Sequence, residues 1–130
     1  MRKSISNLYS LISSWLLILM RFRVTQNHTR TYDDPIAFER GESIMRERQD
    51  KEQPGWWWCT DKRGKSGWVH ESFFEDDDYR YIALEDYSAI ELNASAGEIV
   101  EAIDERAGWA CCINEAGEQG WLPLSHLQLI

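Results

Sequence analysis

The chain has 130 residues, room for one medium domain or two very small ones with thin cores. It carries 14 Lys and Arg against 22 Asp and Glu, a formal charge of −8, and the whole surplus lies from Tyr81 onward, where the only strong base is Arg106. An acidic half of this kind argues against nucleic acid as a partner and leaves a cationic partner, or solubility alone, as its reason.

Residues 1–23 read as an apolar N-terminal extension, densest from Trp15 to Met20 and followed by Arg21 and Arg23. The run falls short of the roughly 20 apolar residues that span a bilayer, and no small-residue cleavage site follows it. Three readings stay open: a marginal membrane anchor, an amphipathic segment that docks on a surface, or a misplaced start with Met20 as the natural first residue. The last is preferred, because the first folded strand is expected at Val24, leaving almost no linker after a membrane helix.

From residue 24 the chain repeats one pattern. Gly41-Glu42-Ser43-Ile44 returns as Gly97-Glu98-Ile99-Val100, Pro54-Gly55-Trp56 as Ala107-Gly108-Trp109, and Gly67-Trp68-Val69 as Gly120-Trp121-Leu122. The order is kept, with one longer loop, Glu47 to Pro54, in the first copy. Each copy predicts short strands: Ile44 to Arg46, Trp56 to Thr60 and a strand led by Trp68, then Ile99 to Ile103, Trp109 to Ile113 and a strand led by Trp121. Gly-containing polar turns at residues 61–66 and 114–119 are hairpin signals. Between the copies, the acids Glu75 to Asp78 predict a solvated linker over residues 76–80. The expected domains are therefore 24–75 and 81–130, an all-β pair of tandem small five-stranded barrels.

Three cysteines, two of them adjacent, make no disulfide framework, and the scattered His28, His70 and His126 show no metal-ligand spacing. Buried thiols in a reducing, cytoplasmic setting are the expectation, membrane attachment being the alternative if residues 1–20 are a real anchor. Seven Trp serve either as core anchors or as contact platforms. Trp56 and Trp109, each after a Gly at a loop edge, read as platforms; Trp68 and Trp121 read as core. Trp57 and Trp58 extend the aromatic run beyond what so small a barrel can bury.

The second copy opens with Ala83-Leu84-Glu85-Asp86-Tyr87, which resembles the Ala-Leu-Tyr-Asp-Tyr opening of Src-homology-3 domains. Gly108-Trp109 resembles the binding Trp of that family, and Gly120-Trp121-Leu122-Pro123-Leu124-Ser125-His126-Leu127 its Gly-Tyr-Ile-Pro-Ser-Asn-Tyr-Val close. In the first copy, Ile36 to Glu42, Gly55-Trp56-Trp57 and Gly67 to Phe74 are similar to the same family, although Asn27 to Tyr32 keeps almost nothing of the opening motif. The resemblance implies a non-catalytic adaptor that holds an extended Pro-rich peptide between rings and pairs its Arg or Lys with acids. Carried over, the second copy offers Tyr87, Trp109, Pro123 and His126 for the groove and Glu91, Asp104 and Glu105 for the acidic pocket. The first offers Trp56, His70 and Phe73, with Tyr32, Asp33 and Asp34 as partial substitutes for the opening motif. Glu85 and His126 stand where the family has groove tyrosines. This departure leaves a second reading open, barrels that pack on a fixed partner or self-associate, and a third, a membrane-tethered sensor. No nucleophile–base pair, phosphate loop or metal cluster points to an enzyme, and no cofactor is expected.

Overall fold

The computed structural model describes residues 20–77 and 80–130, so the apolar run before Met20 lies outside the described residues. Among the described residues, twelve strands follow in chain order: β1 (Arg21–Val24), β2 (Ala37–Phe38), β3 (Ser43–Gln49), β4 (Trp56–Thr60), β5 (Ser66–His70), β6 (Phe74–Asp77), β7 (Arg80–Ala83), β8 (Tyr87–Ser88), β9 (Ile99–Arg106), β10 (Trp109–Asn114), β11 (Gln119–Pro123) and β12 (Leu127–Leu129). Single 3-10 turns, Glu71–Phe73 and Leu124–His126, join β5 to β6 and β11 to β12. Among the described residues there is no α-helix, and none long and apolar enough to cross a membrane.

The chain divides into two compact units. One, here the terminal unit, joins residues up to Thr31 with Glu91–Ile130; the other, the central unit, is Tyr32–Ile90. These units cut across the contiguous blocks 24–75 and 81–130 that the repeat suggested. The reason lies in strand pairing. β1 does not join the strands that follow it. It lies between β9 and β12, with Phe22 opposite Val100 on one side and Leu129 on the other.

The terminal unit is a five-stranded antiparallel sheet ordered β11-β10-β9-β1-β12. Its core is Val24, Leu92, Ala94, Val100, Ala102, Ala110, Cys112 and Leu122, with Phe22, Leu124 and Leu127 packed against it. Strand alternation explains the selection: Val100 and Ala102 on β9, and Ala110 and Cys112 on β10, are two residues apart and share one face. Residues 21–23, assigned to the extension from sequence, are strand residues of this sheet.

The central unit is a second five-stranded sheet, β5-β4-β3-β7-β6, with the ribbon β2-β8 beside it. Ile36, Phe38, Ile44, Cys59, Val69, Phe73, Phe74 and Ala83 are buried. Of the acids expected at the linker, Glu75, Asp76 and Asp77 are here strand residues, while Asp78 and Tyr79 lie outside the described residues. β6 and β7 form a hairpin in which Asp77 pairs with Arg80 and Asp76 with Tyr81. Glu75, Asp76 and Asp77 are exposed along the sheet's edge strand, where charge discourages pairing with another chain.

Neither sheet is closed into the barrel that the sequence suggested. In each, the two edge strands follow one another through the single 3-10 turn, and no ladder forms between them. The hairpins at 61–65 and 114–118 are built alike. Asp61 N–H donates to the Lys65 carbonyl (2.9 Å) and Gly64 N–H to the Asp61 carbonyl (3.0 Å). Asn114 N–H donates to the Glu118 carbonyl and Gly117 N–H to the Asn114 carbonyl, both at 3.0 Å.

A candidate peptide-binding site

Trp109 opens β10 directly after a two-residue turn, Ala107-Gly108, that joins it to β9. Both turn residues have positive φ, 47° and 90°, the pattern of a type I′ hairpin turn whose twist suits the flanking strands. The turn holds Trp109 at the sheet's end, half-buried, with Pro123 opposite it on β11. The Leu124 N–H donates to the Gly108 carbonyl (2.9 Å), tying the 3-10 turn to the same corner.

His28 arrives from the other end of the chain. It exchanges backbone hydrogen bonds with Ala94, at 2.8 and 2.9 Å, as an isolated antiparallel bridge. Its ring stands edge-on to Trp109, 6.1 Å between centroids, and to His126 at 5.5 Å. Its Nε2 lies 2.7 Å from Glu91 Oε1, which the parallel bridge between Glu91 and Trp121 holds in place. Arg30 donates from Nε to the Glu91 carbonyl (3.0 Å), fixing the backbone from which that carboxylate projects. His126 Nδ1 is buried with no hydrogen-bond partner among the described residues. Three rings set edge to face, a proline and a carboxylate thus share one end of one sheet: an aromatic cluster beside a negative charge. That arrangement can receive an extended apolar chain bearing a cation.

Of the residues selected from sequence, Glu91, Trp109, Pro123 and His126 are brought together here. Asp104 pairs with Arg106 (3.4 Å) and Glu105 is exposed. Tyr87 is not part of this site. It belongs to the central unit, its ring 4.3 Å from that of Phe73 and 5.2 Å from that of Phe38. His28 occupies the place expected of Tyr87. The missed signal was the pair Asn27-His28, which stands at the end of β1's segment just as Asp86-Tyr87 stands after β7.

The remaining expected residues lie in the central unit. Trp56 is half-buried and packs edge-on against His70, 5.4 Å between centroids. His70 also accepts from Ser72 N–H (3.3 Å), capping the 3-10 turn. Phe73 is only 3% exposed, so it supports Tyr87 from beneath and presents no face of its own. Asp34 binds Arg63 at 2.8 Å and Lys65 at 3.6 Å, and the Arg63 hydrogen bond holds its carboxyl below the usual range. Tyr32 is 68% exposed. Trp121 is buried as expected of a core residue, but Trp68 is not: it stands 36% exposed, edge-on to Trp58 at 5.1 Å. β5 alternates, and Val69 takes the core side, leaving Trp68 outside. No group of three metal-ligating side chains occurs among the described residues.

Residues 21–75 match the family described as the variant SH3 domain. The chain is also 24% identical, over 129 residues, to a human protein, "SH3 and PX domain-containing protein 2B". That alignment covers 86% of this chain and 14% of the human protein, so the chain spans a small part of its relative. The matched stretch 21–75 runs from β1 into β6 and so draws on residues of both units. Over residues 21–75 the chain is thus similar to the variant SH3 family.

Proposed function

We propose that the protein is a non-catalytic interaction module that binds an extended, proline-rich peptide carrying an Arg or Lys, at the corner formed by His28, Glu91, Trp109, Pro123 and His126. The observation that carries this reading is the half-buried Trp109 ring framed by two imidazoles with the Glu91 carboxylate beside them. A polyproline II ligand is preformed and loses little entropy on docking against rings, so a small site suffices. The ligand's cation competes with His28 for Glu91, or shares it. We take the setting to be cytoplasmic, since three free thiols persist in a reducing compartment.

The test is calorimetric titration with an Arg-containing proline-rich peptide. Trp109→Ala weakens binding about tenfold or more, as loss of a central aromatic anchor does. Glu91→Gln weakens it by a smaller factor and flattens its salt dependence, because one partly exposed charge pair is removed. Equal affinities for all three proteins would end the proposal. One observation supports a second reading, packing on a fixed partner or self-association: Trp58 and Trp68 share an outer face of the central sheet with Met45, which is 73% exposed.

A further inference from the structure

The two sheets have the same order, strand for strand: β11-β10-β9-β1-β12 against β5-β4-β3-β7-β6. β1 and β7 thus fill equivalent slots. Phe22 lies opposite Val100, and Tyr81 opposite Ile44. Val24 lies opposite Leu127, and Ala83 opposite Phe74. The strands end alike as well. Val24 N–H donates to the Glu98 carbonyl (2.8 Å), and Gly97 N–H to the Val24 carbonyl (2.7 Å). Ala83 N–H donates to the Glu42 carbonyl (2.9 Å), and Gly41 N–H to the Ala83 carbonyl (2.8 Å). Four residues further on, His28 bridges Ala94 while Tyr87 pairs with Phe38. In sequence both strands run Arg, aromatic, variable, small apolar: Arg21-Phe22-Arg23-Val24 and Arg80-Tyr81-Ile82-Ala83.

We propose that β1 and β7 are interchangeable, and that the chain also populates an in-order arrangement in which β1 pairs with β3 and β6 while β7 pairs with β9 and β12. The backbone hydrogen bonds are conserved in kind by the exchange, so only side-chain differences separate the two states. An independent observation favours the second state: the family match runs unbroken over residues 21–75, the block in which β1 belongs with β3 and β6. The acids Glu75, Asp76 and Asp77 suit both states, as a charged edge strand in one and as part of a solvated connection in the other. The exchange rewrites the candidate site. His28 leaves Glu91, Trp109 and His126 for the place beside Phe38 and Phe73, and Tyr87 takes its position. Glu91 then faces a phenol in place of an imidazole, and a ligand cation no longer competes with His28 for it.

Paired cysteines test the exchange whether or not the site binds a peptide. Residues opposite one another on antiparallel strands lie within disulfide reach. Arg23 faces Gln128 in the present arrangement, and Glu75 faces Ile82. In the in-order arrangement Arg23 faces Glu75, and Ile82 faces Gln128. The double variants R23C/Q128C, R23C/E75C and I82C/Q128C are oxidised with glutathione disulfide, which is reduced as each pair closes, and the linked peptides are identified by mass. The native thiols are buried, which keeps them from competing. The exchange requires all three pairs to close within monomers. Closure of R23C/Q128C alone, of only one in-order pair, of the in-order pairs without R23C/Q128C, or of in-order pairs only between chains would overturn it.

Discussion

Asp61 shows how much one side chain can organise. Its side chain is fully buried, and one carboxylate oxygen accepts from the Arg63 and Lys65 amides, both at 2.9 Å. The other accepts from the Ala37 amide (3.1 Å) and from Arg63 Nη2 (3.2 Å). Burial works to raise its pKa, but these hydrogen bonds outweigh it and hold the carboxyl below its ordinary value. A depressed folded-state pKa means the contribution is complete above the unfolded value of about 3.9 and is lost as pH falls through the folded one. Asp61→Ala leaves buried donors unmet and should cost about 3 kcal/mol in urea unfolding near neutral pH. The deficit against the native protein should narrow below about pH 4, as the native Asp61 protonates. Ala107, a non-glycine residue at positive φ, is strained in the opposite sense. Ala107→Gly should raise stability by about 1 kcal/mol in the same assay. Burial pushes the Cys59 and Cys112 thiols up to about 12, so both should resist alkylation at pH 8 in the native protein and react once it is unfolded.

At the scale of elements, the close approach of β11 to the Glu91–Leu92 segment sets the site's floor. A Cβ on Gly120 would lie 2.5 Å from the Leu92 nitrogen and 2.7 Å from the Glu91 carbonyl carbon, both backbone atoms that cannot rotate away. Gly120→Ala should cost about 3 kcal/mol in thermal or urea unfolding and displace Glu91, weakening peptide binding along with stability. The hairpins, the Gly-Glu turns and the Trp-led strands were legible in the sequence, because turn chemistry and strand alternation are local. The placement of β1 was not. Nothing within four residues of Phe22 says whether its partner is Val100 or Ile44, since both slots present a β-branched aliphatic residue. The acidic run misled for a related reason. A run of acids excludes a core, yet the edge strand that holds Glu75, Asp76 and Asp77 exposes its residues as fully as a linker does.

For the whole molecule, the repeat predicted two similar all-β units, and each unit is built on the same strand order. Which segments compose each unit depends on contacts more than 60 residues apart in sequence, such as His28 with Glu91. Consequently four of the site's five residues were identifiable from motifs, while His28 required the pairing itself. The proposed binding role rests on what this corner offers: rings, a proline and one carboxylate. The most direct measurement is a two-dimensional NMR titration of the full chain with an Arg-containing proline-rich peptide. The account predicts that perturbed amide and side-chain resonances gather at His28, Glu91, the Trp109 indole and His126, with Phe38 and Phe73 unmoved. Perturbations centred on Trp58 and Trp68, or none at saturating peptide, would contradict it.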